Sequence, residues 1–145
     1  MKRNRITDII SGLLAFLWMY AAVSKLNSYT TFRIQLSQSP FITRFAKAIA
    51  LVVPGIEMGI AVMLAILRVR LFALYATLFL FSLFTAYIFA MLHYSYYIPC
   101  SCGGVLASLS WSQHILLNVA FIIVTLVGIV LTELNKNQVK LKQSS

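Results

Sequence analysis

The chain has 145 residues, of which 61% are hydrophobic and only 10% charged. Soluble domains carry about 45–50% apolar and about 25% charged residues, so this composition excludes an ordinary soluble domain and excludes disorder as well. Two cysteines are too few for a disulfide-stapled miniprotein. The 12 Lys and Arg against 3 Asp and Glu give a net +9, but they fall in small groups between apolar runs. Nucleic acid requires a continuous basic stripe, and none is present, so no nucleic-acid partner is expected. The expectation is one integral membrane domain, residues 1–145, with the lipid bilayer as its first partner.

Four runs are long enough for a hydrocarbon core of about 30 Å, which takes ~20 residues of helix. The first covers about 6–26 and is uncharged from Ile9 to Ser24. Lys2, Arg3 and Arg5 before it and Ala22-Val23-Ser24 near its end also outline a cleavable signal peptide. The imperfect small-residue site and the long core favour a retained span. The segment from Asn27 to Arg44 has Phe32 and Leu36 at helical spacing, with Phe41, Ile42 and Phe45 beyond Pro40. Interleaved with Arg33 and Arg44, these predict a short segment lying in the membrane interface; a solvated loop is the bland alternative.

The second run, about 45–67, contains Pro54-Gly55 and one acid, Glu57. Proline there predicts a kinked or broken hydrogen-bond ladder. Gly55-Ile56-Glu57-Met58-Gly59 is a GxxxG, which predicts close approach of another helix. The third run, about 71–92, carries no charge and many aromatic rings. The fourth, about 111–134, opens on Ser110-Trp111-Ser112-Gln113, a capping-box pattern, and leads to a basic tail, 135–145. No run alternates in polarity as the strands of an outer-membrane barrel do. The predicted fold is all-α: a four-transmembrane-helix bundle with a short interfacial segment between helices 1 and 2.

Eight of the twelve basic residues lie in the N-terminus, the second loop and the tail; the other four, Lys25, Arg33, Arg44 and Lys47, lie in or beside the first loop. With an even number of spans this distribution predicts both termini in the cytoplasm of a bacterial inner membrane. The third connection, which has no Lys or Arg, then faces the periplasm.

That connection reads Pro99-Cys100-Ser101-Cys102-Gly103-Gly104. Pro99, Gly103 and Gly104 favour a tight turn. A disulfide between Cys100 and Cys102 closes a small ring, and strain of that kind suits exchange better than stapling. The N-terminus of the fourth helix, close by in sequence, favours a thiolate. His114 can serve as base or thiolate stabiliser, and Asn118, four residues on, shares its face. An inert structural disulfide is the bland reading. His93, Cys100, Cys102 and His114 together could hold a soft metal, but their spacing matches no standard site, so no metal is expected. Glu57, buried in a span, must be neutral or paired, and Lys25 can reach it with its long stem. A proton relay and a structural tie both remain open for that pair.

Ser24-Lys25-Leu26 closing the first helix, Pro54 to Glu57 in the second, the Cys-Ser-Cys-Gly-Gly turn, Leu109-Ser110-Trp111, and His114 with Asn118 opening the last helix together form a pattern. It resembles that of the methylamine-utilisation protein MauE family, within the wider DoxX-like membrane proteins, over about residues 6–134. The resemblance implies a four-helix membrane protein, and some family members are linked to periplasmic thioredoxin-like proteins in disulfide formation. On it, Cys100, Cys102 and His114 would be catalytic, with Glu57, Lys25, Asn118 and Trp111 in support. A catalytic cycle needs an electron acceptor; a quinone in the bundle would serve, though no residue pattern identifies one. The alternative from another class is a non-catalytic membrane subunit or anchor of a partner complex.

Overall fold

The structure, a computed structural model, describes residues 2–39, 42–94 and 110–144, with the side chains of residues 2–4 and of Trp111 excepted. The elements in chain order are α1 (Lys2–Asn27), α2 (Tyr29–Ser37), a single 3-10 turn (Thr43–Phe45), α3 (Ala46–Ala65), α4 (Arg70–Tyr94) and α5 (Trp111–Gln143). Four helical segments are long and apolar enough to cross a bilayer: Arg5–Asn27, Thr43–Ala65, Arg70–Tyr94 and Ser112–Gln143. These are the four predicted spans. In the membrane such a chain can satisfy its backbone only within helices, which accounts for their length.

The helices close a ring, with α1 packed mainly on α3, α4 mainly on α5, and α1 with α5 and α3 with α4 completing it. The core is a column of Leu14, Trp18, Leu64, Leu74, Phe81 and Ile129 with small residues between them. Trp18 stacks on Phe81 at 4.8 Å between ring centres, and Phe81 stacks on Phe121 at 5.6 Å. The indole N–H of Trp18 donates to the Thr77 hydroxyl at 3.2 Å, which satisfies both polar groups where no water reaches.

The structure differs from the sequence expectations in four places. The segment after α1 is more than an interfacial strip: α2 buries Phe32 and Leu36 against Ala46 and Ala50 of α3, as a satellite core. Pro54 does not break its helix; α3 runs from Ala46 to Ala65 with Pro54 buried inside it. Proline removes one ladder bond, and packing on the neighbouring helices outweighs that loss. The GxxxG glycines bring no helix of this chain close, since a Cβ on Gly55 or Gly59 would meet nothing within 4 Å. The close approach is at Gly128 of α5, where a Cβ would lie 3.1 Å from Ile10 and 3.5 Å from Leu74. Last, residues 135–143 are the closing turns of α5 rather than a separate tail. They contain neither Gly nor Pro, and five of the nine are Lys or Gln, good helix formers.

Candidate functional site

Lys25 and Glu57 form an ion pair inside the bundle, 5% and 0% exposed. The stagger of the helices makes this pairing possible. Lys25 lies two residues before the end of α1 at Asn27, whereas Glu57 lies eleven residues into α3 from Ala46. Eleven residues are about 16 Å of helix, so the outer ends of α3 overhang the end of α1. The pair is consequently covered although one member is almost terminal. Lys25 extends its ammonium inward between two aromatic faces, 5.5 Å from the Phe84 ring centre and 6.0 Å from that of Phe32. Cation–π attraction of that kind offsets part of the cost of removing an ammonium from water.

His114 and Asn118, one helical turn apart in α5, complete the cluster and are buried. Both border the same small cavity as Lys25 and Glu57, a space of about 50 Å³. Its remaining wall includes Trp18, Phe81, Phe84 and Phe121. A cavity of this size has room for about three or four waters. One carboxylate oxygen of Glu57, Oε2, is buried without a hydrogen-bond partner among the described residues. An unpartnered buried carboxylate oxygen is costly unless something occupies it, and a proton or a water in the cavity would do so. One carboxylate–lysine pair, an imidazole and a carboxamide around a space for water are side chains able to hold and pass protons.

The start of α5 is fixed by the expected capping box. The Gln113 backbone N–H donates to the Ser110 hydroxyl at 3.5 Å, and the Ser110 backbone N–H donates to the Gln113 side chain at 3.0 Å. The cap sets where α5 begins and therefore puts His114 on its first turn. Pro99, Cys100, Cys102, Gly103 and Gly104 lie outside the described residues. Of Trp111, only its place as first residue of α5 is described. In sequence the cysteine segment joins Tyr94, the last residue of α4, to Ser110. His93 is exposed on α4, its Nδ1 3.1 Å from the Phe89 carbonyl. Among the described residues, no three His, Cys, Asp or Glu side chains come together as a metal site.

A second space adjoins the first. Phe84 borders both the polar cavity and an apolar pocket of about 260 Å³ between α2, α3 and α4. The pocket is walled by Phe32, Leu36, Ile49, Leu83 and Tyr87 among others, and the Tyr87 hydroxyl is buried beside Ser39. Sequence reasoning found the Lys25–Glu57 pair and the His114–Asn118 face but missed the aromatic enclosure. It also missed the ion pair at the opposite end of the bundle, where Arg70 Nη1 donates to Asp8 at 2.5 Å.

The family model described as Methylamine utilisation protein MauE matches residues 3–131 of the chain. Among curated proteins and among solved structures, nothing matches it.

Proposed function

The chain belongs to the MauE family, and on that footing we propose that it is an inner-membrane thiol–disulfide exchange protein whose redox pair is Cys100 and Cys102. The observation that supports this reading is the buried cluster of Lys25, Glu57, His114 and Asn118 around one cavity, bordered by the first turns of the helix that follows the cysteine segment. Thiol exchange moves protons with its electrons, and a protected proton store beside the redox segment is what such chemistry uses.

In the oxidising direction, a thiolate of a thioredoxin-like partner attacks one sulfur of the Cys100–Cys102 disulfide. A mixed disulfide forms, and the other cysteine leaves as a thiolate. The partner's second thiolate attacks the mixed disulfide, so the partner becomes a disulfide. The protein's pair is then reduced by two electrons and takes up the two protons that the partner's thiols gave up. His114 is the candidate stabiliser of the thiolate, and the Glu57 carboxylate can carry one proton in transit. Regeneration passes two electrons and two protons to an acceptor; a quinone in the pocket beside Phe84 would supply that capacity.

Both termini are assigned to the cytoplasm and residues 95–109 to the periplasm, following the basic residues. The test is to express Cys100→Ser and Cys102→Ser separately and to isolate mixed disulfides from cells under non-reducing conditions. One of the two variants is expected to accumulate a covalent complex that reductant dissolves. An impermeant maleimide should also label the reduced wild-type cysteines on intact spheroplasts. Labelling only after lysis, or variants that trap nothing while the protein stays folded, would refute exchange and favour a membrane anchor for a partner complex.

A further inference from the structure

The end of the bundle that carries both chain termini holds a cleft of about 590 Å³ between the start of α1, the start of α4 and the far turns of α5. Three cations border it: Arg70, Lys136 and Lys140. Lys136 and Lys140 are one turn apart on α5, and Thr132, a turn before them, lies on the same face. The acid in the lining is Asp8, which is paired with Arg70 through Nη1. Glu133 is half-buried on the neighbouring position of α5 and does not line the cleft.

Arg70 is the informative residue. Its side chain is 13% exposed, Asp8 holds Nη1 of the guanidinium, and Nε is buried without a hydrogen-bond partner among the described residues. A buried donor left open is costly, so an acceptor is expected there. A guanidinium is a planar set of donors that phosphate oxygens match, and Nε is one of them. Lys136 and Lys140 add point charges that suit an anion of more than one oxygen. Leu67 and Val139 give the same cleft apolar walls.

The depth of the site selects the source of the phosphate. Arg70 begins the span Arg70–Tyr94, while α5 continues for several turns beyond Thr132, with Lys136 and Lys140 on those turns. The cleft therefore lies where a bilayer's headgroups meet its hydrocarbon, with a charged floor and apolar sides. We propose that it is a binding site for the phosphate of an anionic phospholipid, held by Arg70, Lys136 and Lys140, with the lipid's apolar part along Leu67 and Val139.

The test uses the full chain in detergent, freed of co-purified lipid, with Tm measured against added dioctanoyl phosphatidylglycerol, dioctanoyl phosphatidylcholine or inorganic phosphate. The expected result is a saturable rise in Tm with the phosphatidylglycerol alone, because a ligand of the folded state shifts stability by mass action. Lys136→Gln/Lys140→Gln removes two exposed charges without stranding Asp8, so its unliganded Tm should match wild type. Its apparent Kd for phosphatidylglycerol should be about 30-fold weaker, roughly fivefold for each lysine near a membrane surface. Arg70→Gln, which also frees Asp8, should abolish the shift where the variant still folds. Equal shifts with phosphatidylcholine, or a double variant that binds as tightly as wild type, would overturn the site. Saturation by inorganic phosphate at the same concentrations would overturn the lipid as its occupant.

Discussion

Replacing either member of the Lys25–Glu57 pair strands the other in a space that no bulk water reaches. Glu57→Gln leaves an ammonium that is 5% exposed, and Lys25→Met leaves a carboxylate with 0% exposure. Breaking a buried pair from one side typically costs about 3–5 kcal/mol. The two losses should be unequal. The stranded Lys25 keeps its two aromatic faces, Phe84 at 5.5 Å and Phe32 at 6.0 Å, worth about 0.5–2 kcal/mol. The stranded Glu57 keeps no partner at either oxygen among the described residues, since Oε2 has none even in the intact pair. Lys25→Met should therefore destabilise by about 3–4 kcal/mol and Glu57→Gln by about 2–3 kcal/mol. Lys25→Met/Glu57→Gln, with two uncharged groups, should recover about 1–3 kcal/mol of the summed loss as coupling. Trp18 reports the transition well, because its indole is stacked in the core and bonded to Thr77. Unfolding by denaturant in detergent micelles, followed by tryptophan emission, gives the three differences. Strict additivity of the single variants would show that the two side chains do not support each other, and the reasoning about the site would fall with it.

At Gly128, substitution by Val should lower stability by about 1–3 kcal/mol through overpacking against Ile10 and Leu74, whereas Gly55→Ala and Gly59→Ala, with open space at each Cβ, should change the micellar unfolding midpoint little. A Gly59→Ala variant that loses as much as Gly128→Val would show that the outward face of α3 is packed in the micelle. His114→Ala should slow thiol exchange with a thioredoxin-like protein in a protein that still folds, at some cost in the unfolding midpoint because the side chain is buried; stopped-flow mixing and denaturant titration on one preparation separate the two. An unchanged exchange rate would remove His114 from the chemistry and leave it as a polar side chain of the α5 interface.

Much of this arrangement was legible in the chain because the membrane leaves few alternatives. Four apolar runs had to be helices, and an acid in the second of them had to find a cation; Lys25 was in reach. The capping box was legible for a similar reason, since Ser110 and Gln113 act through local backbone geometry. What the pattern could not give was rotation. Whether a face of an apolar helix meets lipid or protein leaves no trace in polarity when both are apolar, and so Gly128 escaped notice while Gly55 and Gly59 drew it. The rings around Lys25 were hidden likewise: Phe84 is one of many aromatics in α4, and only the packed ring of helices selects it. Helix ends failed at α5 because charge was read as the end of structure, when charge there marks only the end of the hydrocarbon.

Phe84 has a further consequence, and it concerns time. Its ring and that of Phe32 both face the Lys25 ammonium, and both wall the pocket lined with hydrocarbon side chains. Passage from one space to the other would then turn on side-chain torsions, with every helix left in place. Side-chain hops belong to a much faster regime than the μs–ms displacements of packed helices. A visitor arriving from the lipid would meet the cation at the rate of its own diffusion and of ring rotation, and replacing Phe84 by alanine would widen the opening that Phe84 shares with Phe32.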